Sequence, residues 1–188
     1  MTDLETTAAL PVLATLETKT AAETRLLGQA LAPFLKAGDL LILEGELGAG
    51  KTTFTQGLGA GLQVQQRVTS PTFIIARTHP VAPGSGLVPL VHVDAYRLQA
   101  GDDIESLDLD SALEDSIVVV EWGKGKAEGI SPHTLMVEIA RPETTLPPGS
   151  DFADIPEDTP CVLTFRASAG AWDLSGLPTA WEALVRQA

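Results

Sequence analysis

The chain of 188 residues contains no asparagine and one cysteine, Cys161. A lone cysteine cannot close a disulfide within the chain. With no ligand cluster around it in sequence, its plainest role is that of a small buried hydrophobe. Basic residues are scarce, with 12 lysines and arginines against 25 aspartates and glutamates, a formal net charge of -13. So few cations exclude extensive direct gripping of a nucleic-acid backbone, although an excess of acid also simply keeps a protein dispersed in water. Long apolar runs are missing: stretches such as Ile117 to Val120 fall far short of the roughly 20 residues that span a membrane. Asp3 and Glu5 come early, and no basic stretch precedes an apolar core, so no secretory signal is expected and the expected compartment is the cytoplasm. No internal repeat is found.

What is present is organised around Gly45-Glu46-Leu47-Gly48-Ala49-Gly50-Lys51-Thr52, which fills the pattern GxxxxGK[ST] without substitution. Its glycines permit a tight loop whose backbone N–H groups face an anion. Lys51 adds charge for β- and γ-phosphates, and Thr52 offers a hydroxyl to Mg²⁺. The apolar run Leu40 to Leu43 precedes the loop as a strand, and Thr53 to Leu58 continues it as a helix, with Gly59 and Gly61 marking its end.

Around this loop, Met1 to Leu10 carries no pattern and is expected to be disordered, leaving residues 11–188 as a single domain. Pro11 to Leu16 suits a strand. Thr20 and Glu23 have capping-box spacing ahead of a helix from Ala21 to about Lys36. After the loop helix, Thr69-Ser70-Pro71-Thr72 is a polar loop fixed by proline, entering a strand near Phe73 to Thr78. It is either a switch that senses the γ-phosphate or an ordinary strand-entry turn. Residues 80–89 read as a hairpin loop and 142–159 as a flexible excursion. Leu90 to Asp94 and Ile117 to Val120 are strands, Asp103 to Leu107 a possible short helix, Leu135 to Ile139 and Pro160 to Ala167 further strands, and Pro178 to Gln187 a closing helix. The expected fold is α/β: a P-loop NTPase domain with a mostly parallel central sheet flanked by helices, and antiparallel strands towards the C-terminus.

A phosphate loop binds triphosphate, but hydrolysis also needs a carboxylate that fixes metal and water. Asp94 and Glu121 both end apolar strands, and in open α/β sheets the ligand crevice lies beyond the carboxyl ends of the strands. Thr52, Asp94 and Glu121 are therefore expected around one Mg²⁺. His92, two residues before Asp94 and on the same side of the strand, either positions phosphate or water or is a hydrogen-bonded core histidine. Arg97 is either a source of transition-state charge or a surface ion-pair member. Lys124 and Lys126 either reach phosphate or a partner or sit on a solvated loop. Trp122 either stacks on a ligand or partner or packs in the core. GTPases that read guanine use an [NT]KxD motif; this chain has no asparagine, and none of its five lysines is followed two places later by aspartate, so ATP is the expected nucleotide.

Four motifs in order, GELGAGKTTF, VTSPTF, HVDAYRL and VVVEW, resemble those of the TsaE (YjeE) family. Gly45 to Thr53 matches the family's GDLGAGKTT with Glu46 for Asp, Ser70 to Phe73 its SPT[FY], and Val120 to Trp122 its VEW. His92 to Leu98 matches HFDLYRL except at Val93 and Ala95. The resemblance is good from Pro11 to Arg141 and thins beyond. It implies a small ATPase of tRNA N6-threonylcarbamoyladenosine biosynthesis that works with a TsaD–TsaB pair. ATP binding and hydrolysis then support repeated transfers to adenosine 37 that the ATPase does not itself perform, and tRNA is held by the partners. By position, Leu47 and Gly48 to Thr53 would wrap the phosphates, with Lys51, Asp94 and Glu121 catalytic. Thr52 and Glu121 would serve the metal, and Asp94 the metal–water network. Thr69 to Thr72 would sense nucleotide and Trp122 would sit beside the site. Two other readings stand beside it. A P-loop small-molecule kinase would normally carry clustered lid arginines, whereas Arg141 and Arg166 stand alone. The other is a nucleotide-gated binding module with negligible turnover.

Overall fold

The computed structural model describes residues 10–71, 75–98, 104, 106–142, 159–168 and 170–188. Among them, seven strands form one sheet: β1 (Val12–Thr18), β2 (Leu40–Glu44), β3 (Ala76–His79), β4 (Leu90–Asp94), β5 (Ile117–Glu121), β6 (Thr134–Ala140) and β7 (Cys161–Arg166). The helices are α1 (Ala21–Leu31), α2 (Lys51–Gly61), α3 (Leu109–Leu113) and α4 (Leu177–Val185). The strand order is β1-β7-β6-β2-β5-β4-β3. β6, β2, β5 and β4 run parallel, while β3, β7 and β1 add antiparallel edges. The mixed α/β fold with a parallel centre is thus as expected, and antiparallel pairing occurs at both ends of the sheet. None of the described helices is long and apolar enough to cross a membrane.

The parallel centre follows from composition. β2 and β5 are aliphatic along their length because helices or loops cover both of their faces. Leu41, Leu43 and Val119 point into a core shared with Leu27, Leu31, Phe54, Leu58 and Phe165, whose Phe rings lie 6.2 Å apart. The alternate residues Leu40, Ile42, Val118 and Val120 pack on the opposite side with Val93, Leu113 and Met136. On β4 and β5 the same alternation puts His92, Asp94 and Glu121 on the α2 side. Because β2, β5 and β4 run in one direction, their carboxyl ends Glu44, Glu121 and Asp94 share one edge.

Several boundaries differ from expectation for identifiable reasons. Thr20 caps α1 as its spacing predicts, its hydroxyl accepting the Glu23 N–H at 3.1 Å. The α-helix stops at Leu31 rather than near Lys36, passing into a 3-10 turn at Ala32–Phe34, because Pro33 has no N–H to continue the ladder. α2 is longer than expected at both ends, and Gly59 lies within it. Gly61 ends the helix as expected, whereas Gly57 serves close approach of the two helices: a Cβ on it would stand 1.8 Å from the Arg25 carbonyl oxygen of α1, and one on Gly28 of α1 would stand 2.1 Å from the Phe54 carbonyl oxygen of α2. In the helix interior alanine is ordinarily the better residue by about 1 kcal/mol. Here, overpacking against backbone dominates. Gly57→Ala is expected to lower the thermal midpoint by about 5–10 °C, the equivalent of ~2–3 kcal/mol; an unchanged or raised midpoint in a calorimetric scan would mean that propensity, not helix contact, governs the position.

The strand after the polar loop is Ala76–His79, later than Phe73 to Thr78, and 72–74 lie outside the described residues. Residues 80–89 join β3 to β4 as the expected hairpin loop. Of the proposed helix at Asp103 to Leu107, residues 103 and 105 lie outside the described residues, and the helix described nearby is α3. Residues 1–9, and 143–158 of the expected excursion, also lie outside them. The closing helix begins at Leu177, with Trp181 and Leu184 packed on the core and the Trp181 Nε1–H donating to the Glu23 carbonyl at 3.2 Å.

Candidate nucleotide site

The loop between β2 and α2 has the backbone its glycines predict. Gly48 and Gly50 adopt left-handed φ of 76° and 110°. Gly45, at φ 154°, leaves no room for a side chain, since a Cβ there would lie 2.4 Å from the Ile139 carbonyl oxygen of β6. Ala49 is buried beneath the loop, where its carbonyl accepts a weak hydrogen bond from Cys161 Sγ at 3.5 Å. The cysteine is buried as expected, and it also props the loop from below. Leu47 and Gly48 form the exposed crest, and Thr53 is half-buried on α2.

Lys51 is the first residue of α2 and is 5% exposed. Its ammonium donates to the carbonyls of Gly45 at 2.7 Å and Glu46 at 2.9 Å, and it lies 3.7 Å from the centre of the Trp122 ring. Burial pushes the amine below its ordinary pKa, opposed by the negative charges of Glu121, Glu44 and Asp94. Two carbonyl oxygens and a ring face thus hold the ammonium, within the field of three carboxylates. Trp122 reaches that position by leaving β5 in the left-handed region, at φ 63°, while its N–H donates to the Leu43 carbonyl at 3.0 Å. A non-glycine residue there costs about 1–3 kcal/mol, and such strain gathers at functional sites. The exposed ring of Tyr96 packs on Trp122 with centroids 5.1 Å apart. This aromatic pair beside Lys51 was not legible in the motifs, because it depends on one residue's unusual backbone.

Thr52 and Glu121 meet as expected: the Thr52 hydroxyl donates to both carboxylate oxygens, at 3.0 and 3.2 Å. Asp94 stands opposite Glu121 in the β4–β5 register, and its Oδ1 accepts the Tyr96 N–H at 3.0 Å. His92 is fully buried, with Nε2 2.8 Å from Glu121 Oε1, which is the hydrogen-bonded core histidine of its two open roles. Behind it lies His79, held neutral with its pKa down at about 4 by burial, then by the neighbouring His92 and Arg77.

The remaining candidates spread outward. Arg97 and Tyr96 lie exposed in the turn after β4. Lys124 is 3.9 Å from Glu138, and its backbone N–H donates to Glu44 at 2.7 Å. Burial raises the pKa of that Glu44 carboxyl, partly offset by the Lys124 N–H. Lys126 donates to the Ala95 carbonyl at 2.6 Å. Thr69 and Ser70 are exposed, Thr69 accepting a hydrogen bond from Arg77, and Pro71 is buried. Pro71 is tied to the site through Ile75, whose N–H donates to the Pro71 carbonyl while its own carbonyl accepts the Asp94 N–H, both at 2.8 Å. Thr72 lies outside the described residues.

The hydroxyl of Thr52 and the carboxylates of Glu121 and Asp94 are hard oxygen donors, the type Mg²⁺ selects. Among the described residues no group of three or more His, Cys, Asp or Glu side chains gathers as a metal cage. The donor set therefore fits an ion that completes its shell with phosphate and water, and the phosphate loop adjoins it.

Comparison with known proteins follows the same lines. Residues 18–146 match the family model described as threonylcarbamoyl adenosine biosynthesis protein TsaE. The chain is 60% identical over 118 residues to a Streptomyces coelicolor protein named tRNA threonylcarbamoyladenosine biosynthesis protein TsaE, covering 62% of this chain and 78% of the relative. A Bacillus subtilis protein of the same name is 40% identical over 120 residues, covering 63% and 72%. The crystal structure of Bacillus subtilis YdiB superposes with a TM-score of 0.63 at 28% identity, over 95% of this chain and 97% of that one.

Proposed function

The chain belongs to the TsaE family of tRNA threonylcarbamoyladenosine biosynthesis, and from that premise we propose that it is a Mg²⁺-dependent ATPase acting in the cytoplasm with a TsaD–TsaB pair. The observation that carries the reading is the Thr52 hydroxyl bonded to both oxygens of Glu121, one residue from the buried ammonium of Lys51. A phosphate-binding loop alone explains affinity; a carboxylate at its metal-binding hydroxyl explains turnover.

In this reading ATP hydrolysis gives ADP and inorganic phosphate. Backbone N–H groups of Gly48 to Thr53, with Leu47 at the crest, wrap the phosphates, and Lys51 exchanges its carbonyl partners for phosphate oxygens, which are stronger acceptors. Magnesium, when bound, neutralises charge on the β- and γ-phosphates, and Thr52, Glu121 and Asp94 are the residues that would hold it. Asp94 and Glu121 also orient water. Thr69 to Thr72 acts as the nucleotide-sensing loop, because Pro71 connects through Ile75 to the Asp94 backbone. ATP is preferred over GTP for want of a guanine-reading motif. The chain's charge of -13 fits a division of labour in which the partners hold the tRNA and perform the transfer.

The test is phosphate release from MgATP by the purified chain, alone and with TsaD and TsaB. The expected result is slow release alone and a change in rate with the pair. No effect of the pair on binding or turnover would remove the partner assignment, and phosphate delivered to a small acceptor instead of water would establish a kinase.

A further inference from the structure

We propose that His92 is a positioning residue whose target is the Glu121 carboxylate, rather than phosphate or water; the inference rests on the ATPase reading above. The ring is fully buried on β4, diagonal to Glu121 across the β4–β5 pair. Its Nε2 lies 2.8 Å from Glu121 Oε1, the oxygen that also accepts the Thr52 hydroxyl at 3.0 Å. Two donors on Oε1 and the longer Thr52 contact to Oε2 fix both the direction and the plane of the carboxylate.

The facing carboxylate selects the tautomer: Nε2 carries the proton and donates, leaving Nδ1 as an acceptor. Among the described residues Nδ1 has no hydrogen-bond partner, and neither does Nε2 of the adjacent His79. A buried nitrogen without a partner costs stability, whereas an aliphatic side chain like those of Val91 and Val93 would fill the site at no such cost. The ring is therefore not explained by packing, and its one polar contact among the described residues is with Glu121. Lys51 and Glu121 attract each other, so a carboxylate released from His92 would swing towards the ammonium that the γ-phosphate requires. Holding the acid on the β4 side keeps Thr52 and Lys51 separately available.

The test compares His92→Phe, His92→Gln and, as a control in the same core, His79→Phe, whose parent ring sits 6.2 Å from that of His92 with no contact to Glu121. His92→Phe is expected to lower kcat ~10–100-fold and to raise the Mg²⁺ concentration for half-maximal activity, while fluorescent-nucleotide affinity changes less than ~3-fold. His92→Gln, whose amide can donate from a similar position, is expected to recover most of kcat, and His79→Phe to leave it unchanged. Full activity in His92→Phe, or equal losses in the Phe and Gln variants, would overturn the role. Imidazole ¹⁵N NMR of the unliganded chain supplies a readout independent of turnover: a protonated Nε2 with a bare Nδ1 supports the assignment, and the reverse tautomer defeats it even if the chain hydrolyses nothing. Absence of phosphate release by the wild-type chain would instead count against the ATPase reading.

Discussion

Lys51→Ala is expected to lose ATP affinity by ~10–100-fold and turnover by at least ~10²–10³-fold. Each charge-assisted hydrogen bond to phosphate contributes about 1.5–3 kcal/mol, and loss of a preorganised donor at developing charge has effects of that size. Lys51 is 5% exposed and its ammonium sits on the Gly45 and Glu46 carbonyls, so it is already placed at the loop mouth and pays little entropy on taking up phosphate. Its removal also leaves Glu121, Glu44 and Asp94, the charges that oppose its lowered pKa, without their cation. These acids would then repel a triphosphate at short range. Isothermal titration with MgATP checks the prediction. Tight binding by the variant would show that the loop does not use Lys51 for phosphate.

Glu121→Gln is expected to separate binding from hydrolysis. Gln keeps the length of the side chain and one oxygen that can accept from Thr52 or His92, and it removes a charge that is 3% exposed and register-paired with Asp94. Relief of that like-charge pair favours an incoming polyanion, so ATP affinity is expected to hold or to rise a few-fold. Loss of the carboxylate at the metal and water is expected to cut kcat by ~10²–10⁴-fold. The variant should fold, since replacing a buried charge by its neutral isostere removes a desolvation cost. A single-turnover assay checks this: substantial phosphate release by Glu121→Gln would relocate the essential acid, with Asp94 the next candidate.

How far these sites could be read from the chain depends on what each requires. The phosphate loop was legible because its chemistry dictates residue types at fixed spacing: Gly45 has Ile139 where a side chain would stand, and Gly48 and Gly50 adopt left-handed φ. The parallel centre was legible because β2 and β5 are apolar on both faces, and their terminal acids stand out against them. The length of α2 was not. Glycine near a helix end signals termination by propensity, whereas Gly57 and Gly59 answer to Arg25 and Val68, contacts formed only by tertiary packing. The end of α1 was missed although Pro33 announced it, because the leucine periodicity ran on through Leu35. Trp122 was expected beside the site or in the core; its place under Lys51 follows from a left-handed turn that no local signal predicts. His92 could be assigned to a side of β4 by alternation, but the choice between positioning phosphate or water and being hydrogen-bonded in the core needed the β4–β5 register.

In the proposed cycle, ATP turnover at Thr52 and Glu121 sustains repeated rounds of tRNA modification performed by other chains. Its most direct test is to count threonylcarbamoyladenosine formed per TsaD, by mass spectrometry of digested tRNA, in a mixture of TsaD, TsaB, ATP and either the wild-type chain or Glu121→Gln. The account predicts many rounds with the wild-type chain and arrest near one round with the variant. Equal, sustained product formation with both would contradict it.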